Sequence, residues 1–214
     1  MKKAKIPVAK EGIPFIGLSA LATVVFALLQ IKILAIAGLI LTGFILYFFR
    51  DPERIIPVGD GLVVSPADGK VIEILDCTEP YFTNIKTKRV SIFMNVFNCH
   101  VNRSPIKGQV IDIKYKEGKF LPANKFKATV ENEQAAILLS DKLERKVAVV
   151  QVAGLIARRI LCLAEVGDEL KRGERFGMIR FGSRLDLYLP LSSKILVDKG
   201  QKVVAGQSII AKFN

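Results

Sequence analysis

RLDLYLP, residues 184–190, alternates apolar and polar side chains at every step: Leu185, Leu187 and Leu189 against Arg184, Asp186 and Tyr188. Successive side chains of an extended chain point to opposite faces, so this period of two predicts a β-strand, closed by Pro190. The same texture recurs in LVVSPADGKVIEIL (62–75), RVSIFMNVF (89–97), GQVIDIKY (108–115), KVAVVQVAG (146–154) and SIIAKF (208–213), most clearly in VIDIKY (110–115). Gly, Pro and Asp punctuate the runs. AAILLSDKLER (135–145) and GLIARRILCLAEVG (154–167) leave strand and helix open. No long helical pattern follows residue 50. The expected fold is mainly β: an antiparallel sandwich or barrel-sandwich-like domain over residues 51–214.

The first 50 residues differ. IPFIGLSALATVVFALL (13–29) and ILAIAGLILTGFILYFF (33–49) are apolar runs split by Gln30, Ile31 and Lys32. As a helix each reaches roughly 25 Å, at the short end for a bilayer span. The segment 1–50 therefore reads as a hydrophobic helical hairpin that crosses a membrane twice or dips into one leaflet. Its basic N-terminus, with Arg50 and Arg54 beyond it, places both ends on the cytoplasmic side. A cleaved signal peptide fits less well, because a second apolar run follows at once. FFRDPERIIP (48–57) is a stiff exit at the interface.

The chain of 214 residues carries a formal net charge of +12, spread along its length. This suits an anionic partner, and the hairpin makes that partner lipid; no nucleic-acid fold signature is present. Cys77, Cys99 and Cys162 are odd in number and form no C-x-x-C, which fits reduced thiols facing the cytoplasm. His100 is the sole histidine, so chemistry that needs an imidazole has one candidate. No spaced His/Cys/Asp cluster suggests a metal.

Three stretches can carry chemistry. SPADGKV (65–71) sets Asp68 in a tight turn before a strand; alone it reads as a turn aspartate capping its own backbone. FMNVFNCHVNRSPIKG (93–108) runs from an apolar strand into His100, Asn102 and Arg103. GMIRFGSRLDLYLP (177–190) holds Gly182–Ser183, which alone reads as a turn. VGDELKRGERFGMI (166–179) and VDKGQKVVAGQSII (197–210) echo one another, and PADGKVIEI (66–74) has a related form. Such hairpins look like the barrel-sandwich domains that carry biotin or lipoate.

Taken in order, RDPERIIP after a hydrophobic hairpin, SPADGKV, a strand ending in CHVNRSP, and FGS before LDLYLP resemble the phosphatidylserine decarboxylases, in their short membrane-associated form. The resemblance runs from about residue 46 to the C-terminus. It implies a self-processing proenzyme. Ser183 Oγ would attack the Gly182 carbonyl, and β-elimination would split the chain into a β chain (1–182) and an α chain (183–214). The α chain would begin with a pyruvoyl group made from Ser183. Glycine leaves its carbonyl open to attack, and serine is both nucleophile and eliminated oxygen. The amine of phosphatidylserine would form a Schiff base with the pyruvoyl ketone, CO2 would leave, and phosphatidylethanolamine would follow.

By the same resemblance Asp68 matches the aspartate that activates the serine. Long-form members carry two histidines three apart; His100 aligns with the first, and Arg103 stands where the second would be. His100 is thus expected to serve both self-cleavage and decarboxylation, the alternative being cleavage by strain and oxyanion donors. Arg103, Arg180 and Arg184 would meet the substrate phosphate or carboxylate, or stand exposed at a membrane-facing rim. Lys86, Lys88 and Arg89 read as solvated loop charges. Expected partners are phosphatidylserine in the membrane and the two chains of one proenzyme as a heterodimer, with a higher oligomer open.

Rival readings are an archaetidylserine decarboxylase of the same mechanism and a membrane-anchored barrel-sandwich carrier or adaptor. The carrier would need a modifiable Lys in a Met-Lys context, and no Met after Met1 is followed by Lys. A pyruvoyl decarboxylase of a soluble amine gives no reason for the hairpin. A serine hydrolase would need G-x-S-x-G, which is absent.

Overall fold

A computed structural model describes residues 7–119, 131–154, 160–179 and 183–214. The chain divides into two compact units, Met1–Glu53 and Arg54–Asn214.

In the first unit a 3-10 turn (Lys10–Gly12) leads into α1 (Ile13–Leu28), which is joined to α2 (Lys32–Phe48) through Gln30. Gln30 adopts φ 59° at the place where a helix commonly ends on glycine. The Gln30 and Ile31 N–H groups donate to the Ala27 and Phe26 carbonyls and close the helix end. Small side chains let the helices approach. Gly38 lies against Thr23, and Thr23 Oγ1 is 3.4 Å from Thr42 Oγ1. The outward surface is apolar: Leu18, Leu28 and Ile33 are 70%, 78% and 82% exposed. Lys10–Leu28, with a mean hydropathy of 1.8, is long and apolar enough to cross a membrane; Lys32–Phe48 is apolar but shorter.

The second unit is built of strands: β1 (Leu62–Val64), β2 (Gly69–Thr78), β3 (Lys86–Met94), β4 (Val101–Arg103), β5 (Gly108–Lys116), β6 (Gln134–Ser140), β7 (Lys146–Val152), β8 (Ile160–Cys162), β9 (Glu169–Leu170), β10 (Arg175–Ile179), β11 (Ser183–Pro190), β12 (Lys194–Ile195), β13 (Lys202–Val203) and β14 (Ile209–Lys212). The large sheet runs β13-β2-β3-β11-β7-β6-β5-β9, each neighbour antiparallel. Two smaller sheets, β1-β14-β12 and β4-β10-β8, lie on one face of it. The fold is therefore mainly β and sandwich-like, and both ambiguous segments contribute strands, at 134–140 and 160–162.

β11 lies near the middle of the large sheet. Leu185, Leu187 and Leu189 are fully buried in the main core with Ile92, Ile137, Val149 and Ile210. The opposite face is also dry. Tyr188 packs with Leu138, Ala148 and Val150, and Tyr81 and Phe82 fold over that cluster. Glu79 holds this covering turn by accepting the N–H groups of Phe82 and Thr83, at 3.0 and 2.7 Å.

The echo between 166–179 and 197–210 extends to a structural repeat. Ser65–Gly69 (SPADG) and Ser104–Gly108 (SPIKG) form the same turn. Ser65 Oγ donates to the Ala67 carbonyl, and Ser104 Oγ to the Ile106 carbonyl. The Ser65 and Ser104 carbonyls accept the N–H groups of Gly206 and Gly173, both at positive φ. The two turns also bond to each other's strands, Arg103 N–H to the Pro66 carbonyl and Val64 N–H to the Pro105 carbonyl. Gly69 and Gly108 then open the long strands β2 and β5; a Cβ at either would collide with a facing carbonyl, of Phe93 or Ser140.

Candidate active site

Ser183 is the first residue of β11. It pairs with Met94 at the end of β3, and Arg184 beside it pairs with Val152 at the end of β7. Ser183 is fully buried, and its Oγ has no hydrogen-bond partner among the described residues. A buried hydroxyl usually finds a partner, so this one marks a site where chemistry or a ligand is to be sought. Gly182, the other half of the expected cleavage bond, lies outside the described residues, as does Arg180.

The segment His100–Arg103 crosses above this point. Asn102 is fully buried. Its Nδ2 approaches Met94 Sδ at 3.8 Å, and its Oδ1 accepts from Gln151 Nε2 at 2.8 Å. Met94 belongs to β3 and Gln151 to β7, the strands on either side of β11. The Asn102 side chain therefore lies over the start of β11, on the Ser183 face. His100 stands two residues earlier in the same extended segment and is also fully buried. Its carbonyl accepts the Ile179 N–H at 3.3 Å. The fold thus brings the His100 segment to Ser183.

Asp68 approaches from the other side of β3. Phe93 pairs with Lys70 on β2 and with Arg184 on β11, so Asp68 and Ser183 flank one end of the same strand, roughly 10 Å apart along the sheet. The Asp68 carboxylate does not cap its own turn. Oδ2 accepts from Arg54 Nη2 at 2.9 Å and Oδ1 from the Ala205 N–H at 2.7 Å. Neither partner is His100 or Ser183. In the repeated turn the corresponding residue is Lys107, and it is exposed; the turn itself needs no carboxylate. Arg54 also donates to Gln207 Oε1 at 3.3 Å.

The expected rim charges are corrected. Arg103 and Arg184 are 6% and 2% exposed, and Arg103 donates to the Gly173 carbonyl at 3.0 Å. Arg184 forms a 2.8 Å ion pair with Asp186 on the face away from Ser183, because alternate residues of a strand face opposite ways. Lys86, Lys88 and Arg89 lie in β3, not in a loop, and Arg89 is buried against Glu73 and Tyr188. Burial and the Asp186 carboxylate push the Tyr188 phenol well above its ordinary range. Sequence reasoning read Arg54 only as a charge flanking the hairpin and did not single out Gln151. The one signal for Gln151 is a lone amide inside the apolar run VAVVQVAG.

The family model for phosphatidylserine decarboxylase matches residues 41–211. The chain belongs to the phosphatidylserine decarboxylase family. It is similar to the phosphatidylserine decarboxylase proenzyme of Nitratidesulfovibrio vulgaris, with 51% identity over 212 residues, 99% of this chain and 97% of the relative. Proenzymes of the same name from Geotalea uraniireducens and Desulfotalea psychrophila are each 48% identical, over 98% and 100% of this chain and equal shares of their own lengths. Membership makes the chain a decarboxylase among relatives named as zymogens.

Proposed function

We propose that the chain decarboxylates phosphatidylserine to phosphatidylethanolamine and CO2 after cutting itself between Gly182 and Ser183. The observation that carries this reading is the buried Ser183 hydroxyl, without a hydrogen-bond partner among the described residues, at the head of a strand hydrogen-bonded on both sides. A buried hydroxyl with no other partner among the described residues is available to attack the carbonyl that precedes it in the chain, its desolvation already met by the fold. As the ester forms, the Gly182–Ser183 C–N bond breaks and frees the serine amine; loss of the serine Cα proton to a base then breaks the Cβ–Oγ bond, releasing the Gly182 carboxylate and leaving dehydroalanine. Water then converts the dehydroalanine end to a ketone and releases ammonia.

The residues present fit a pyruvoyl group at position 183. The new end sits on the core face of the sheet, lined by Asn102, Gln151 and the His100 segment. When formed, that carbonyl supplies the electron sink for loss of CO2. His100 carries the proton that replaces the carboxylate, as the one imidazole of the chain. Asp68, fixed by Arg54 and Ala205, is the carboxylate we assign, with His100, to activation of Ser183. The exposed apolar helices hold the enzyme at its lipid substrate, on the cytoplasmic face of the cell membrane by the basic N-terminus.

The reading is tested on a denaturing gel and by intact mass. The purified protein is expected as two fragments, 1–182 and 183–214, the smaller lacking a free amine at its end. Ser183→Ala is expected as one 23.6 kDa chain with no release of CO2. An active chain that is never cut would overturn it.

A further inference from the structure

Gln151 is fully buried in β7, directly across from Leu185 of β11. Paired residues share a face, so Gln151 lies on the Ser183 side of the sheet. It is the diagonal neighbour of Ser183, roughly 7–8 Å away along the backbone and within reach of a long side chain. Its amide orientation is set by two acceptors. Nε2 donates to Asn102 Oδ1 at 2.8 Å and approaches the Leu161 carbonyl at 3.5 Å. Gly177 makes room for it: a Cβ there would come to 3.0 Å from Nε2 and collide with the Leu161 carbonyl. With Nε2 committed, Oε1 is left buried and without a hydrogen-bond partner among the described residues. Two unpartnered polar atoms, Ser183 Oγ and Gln151 Oε1, therefore share one face at one end of the sheet.

A buried acceptor without a donor costs stability that the fold does not recover internally. It is recovered when a ligand brings an N–H or O–H group to it. We propose that Gln151 Oε1 receives an N–H of the substrate's amino group and so directs that amine to residue 183. This rests on the decarboxylase reading above and names the residue that recognises the amine. The Asn102–Gln151 bond holds the acceptor in place, and Asn102 is tied to the His100 segment. One buried amide pair thus connects the amine site, the serine-derived end and the imidazole segment.

The test uses the full-length enzyme in detergent micelles containing phosphatidylserine, comparing wild type with Gln151→Leu and Gln151→Glu. Cyanoborohydride is added, which reduces the C=N bond formed when an amine condenses with a ketone and loses water. Intact mass of the 183–214 fragment then reports captured substrate, independently of turnover. Gel bands report self-cleavage, and kcat and KM are measured alongside. Gln151→Leu is expected, per molecule of cleaved enzyme, to capture substrate at least tenfold more slowly and to show a raised KM. Gln151→Glu keeps an acceptor oxygen while losing the donor to Asn102, and is expected to capture substrate within about threefold of wild type. Capture by cleaved Gln151→Leu within twofold of wild type overturns the proposal. So does equal loss in both variants, which assigns Gln151 to packing through Nε2. Should Gln151→Leu not fold, Gln151→Glu alone decides: loss of capture in that variant overturns the proposal, and retention supports it. Absence of any capture by the wild type would instead defeat the decarboxylase reading.

Discussion

Ser183 carries a hydroxyl that is completely buried and donates to no described residue, an arrangement that costs about 1–3 kcal/mol. Ser183→Ala is therefore expected to unfold at equal or higher denaturant concentration than the uncut wild-type chain, even as it abolishes cutting. A chemical-denaturation midpoint checks this, and a marked loss of stability would argue that the hydroxyl is structural. His100 is fully buried in the same region. His100→Ala is expected to lower decarboxylation at least ~100-fold, the usual scale for losing a positioned proton carrier. If one imidazole serves both steps, the same variant stays as a single band on the gel. Normal CO2 release by His100→Ala would remove it from the mechanism. Asp68 owes its position to Arg54 and Ala205 and not to its own turn.

At the level of the element, the paired turns SPADG and SPIKG offer a built-in control. Gly69 and Gly108 meet facing carbonyls in the same way. Alanine at either is expected to cost about 1–3 kcal/mol through forced backbone displacement. Only Gly69→Ala should also slow self-cleavage, because β2 abuts the end of β3 that pairs with Ser183. Denaturant midpoints and a gel time course separate the two effects. The β6–β7 turn supplies a pH-dependent prediction. Burial alone would raise the Asp141 carboxyl, but the Arg145 side chain and N–H and the Leu143 N–H outweigh it and hold the group below its ordinary value. A carboxylate with a depressed folded pKa stabilises fully above the unfolded value near 4 and loses that contribution as pH falls through the folded one. Asp141→Asn is therefore expected to lower the melting temperature at pH 7, with the gap narrowing as the pH falls below the unfolded carboxylate value and through the depressed folded one. A gap independent of pH would assign the effect to packing.

For the whole molecule the central place of β11 decides what would follow the proposed cut. Its ladder joins β3 on one side and β7 on the other, both in the 1–182 portion, and Leu185, Leu187 and Leu189 are enclosed in the common core. The charged contacts from Arg89 to Tyr188 and Asp186 also bridge the two portions. The fragments are expected to co-elute in native gel filtration and to separate only in denaturant. Dissociation under native conditions would contradict the topology. The helical unit exposes apolar side chains along both helices. Its hold on vesicles is expected to resist high salt and to yield to detergent, because burial of apolar surface is not screened by ions. Release by 1 M salt would assign the attachment to the basic charge instead.

Asp68, His100 and Ser183 become candidates only through the order of four motifs that resemble a family; the strand pattern around RLDLYLP and the apolar helical pair are legible in the chain itself. They rest on local periods and on residue types whose physical meaning does not depend on distant neighbours. The repeat of SPADG in SPIKG is also written there, 39 residues on, but its meaning appears only when Gly206 and Gly173 are seen to close the two turns. Alternation in RLDLYLP separates two faces without saying whether either is wet. The turn bearing Tyr81 and Phe82 packs over Tyr188, and Arg184 and Asp186 on the same face are buried as well. Likewise no local signal places Asn102 across β11 or leaves Gln151 Oε1 facing Ser183's side of the sheet. Those facts depend on which strands become neighbours, a choice made by the packing of the whole core.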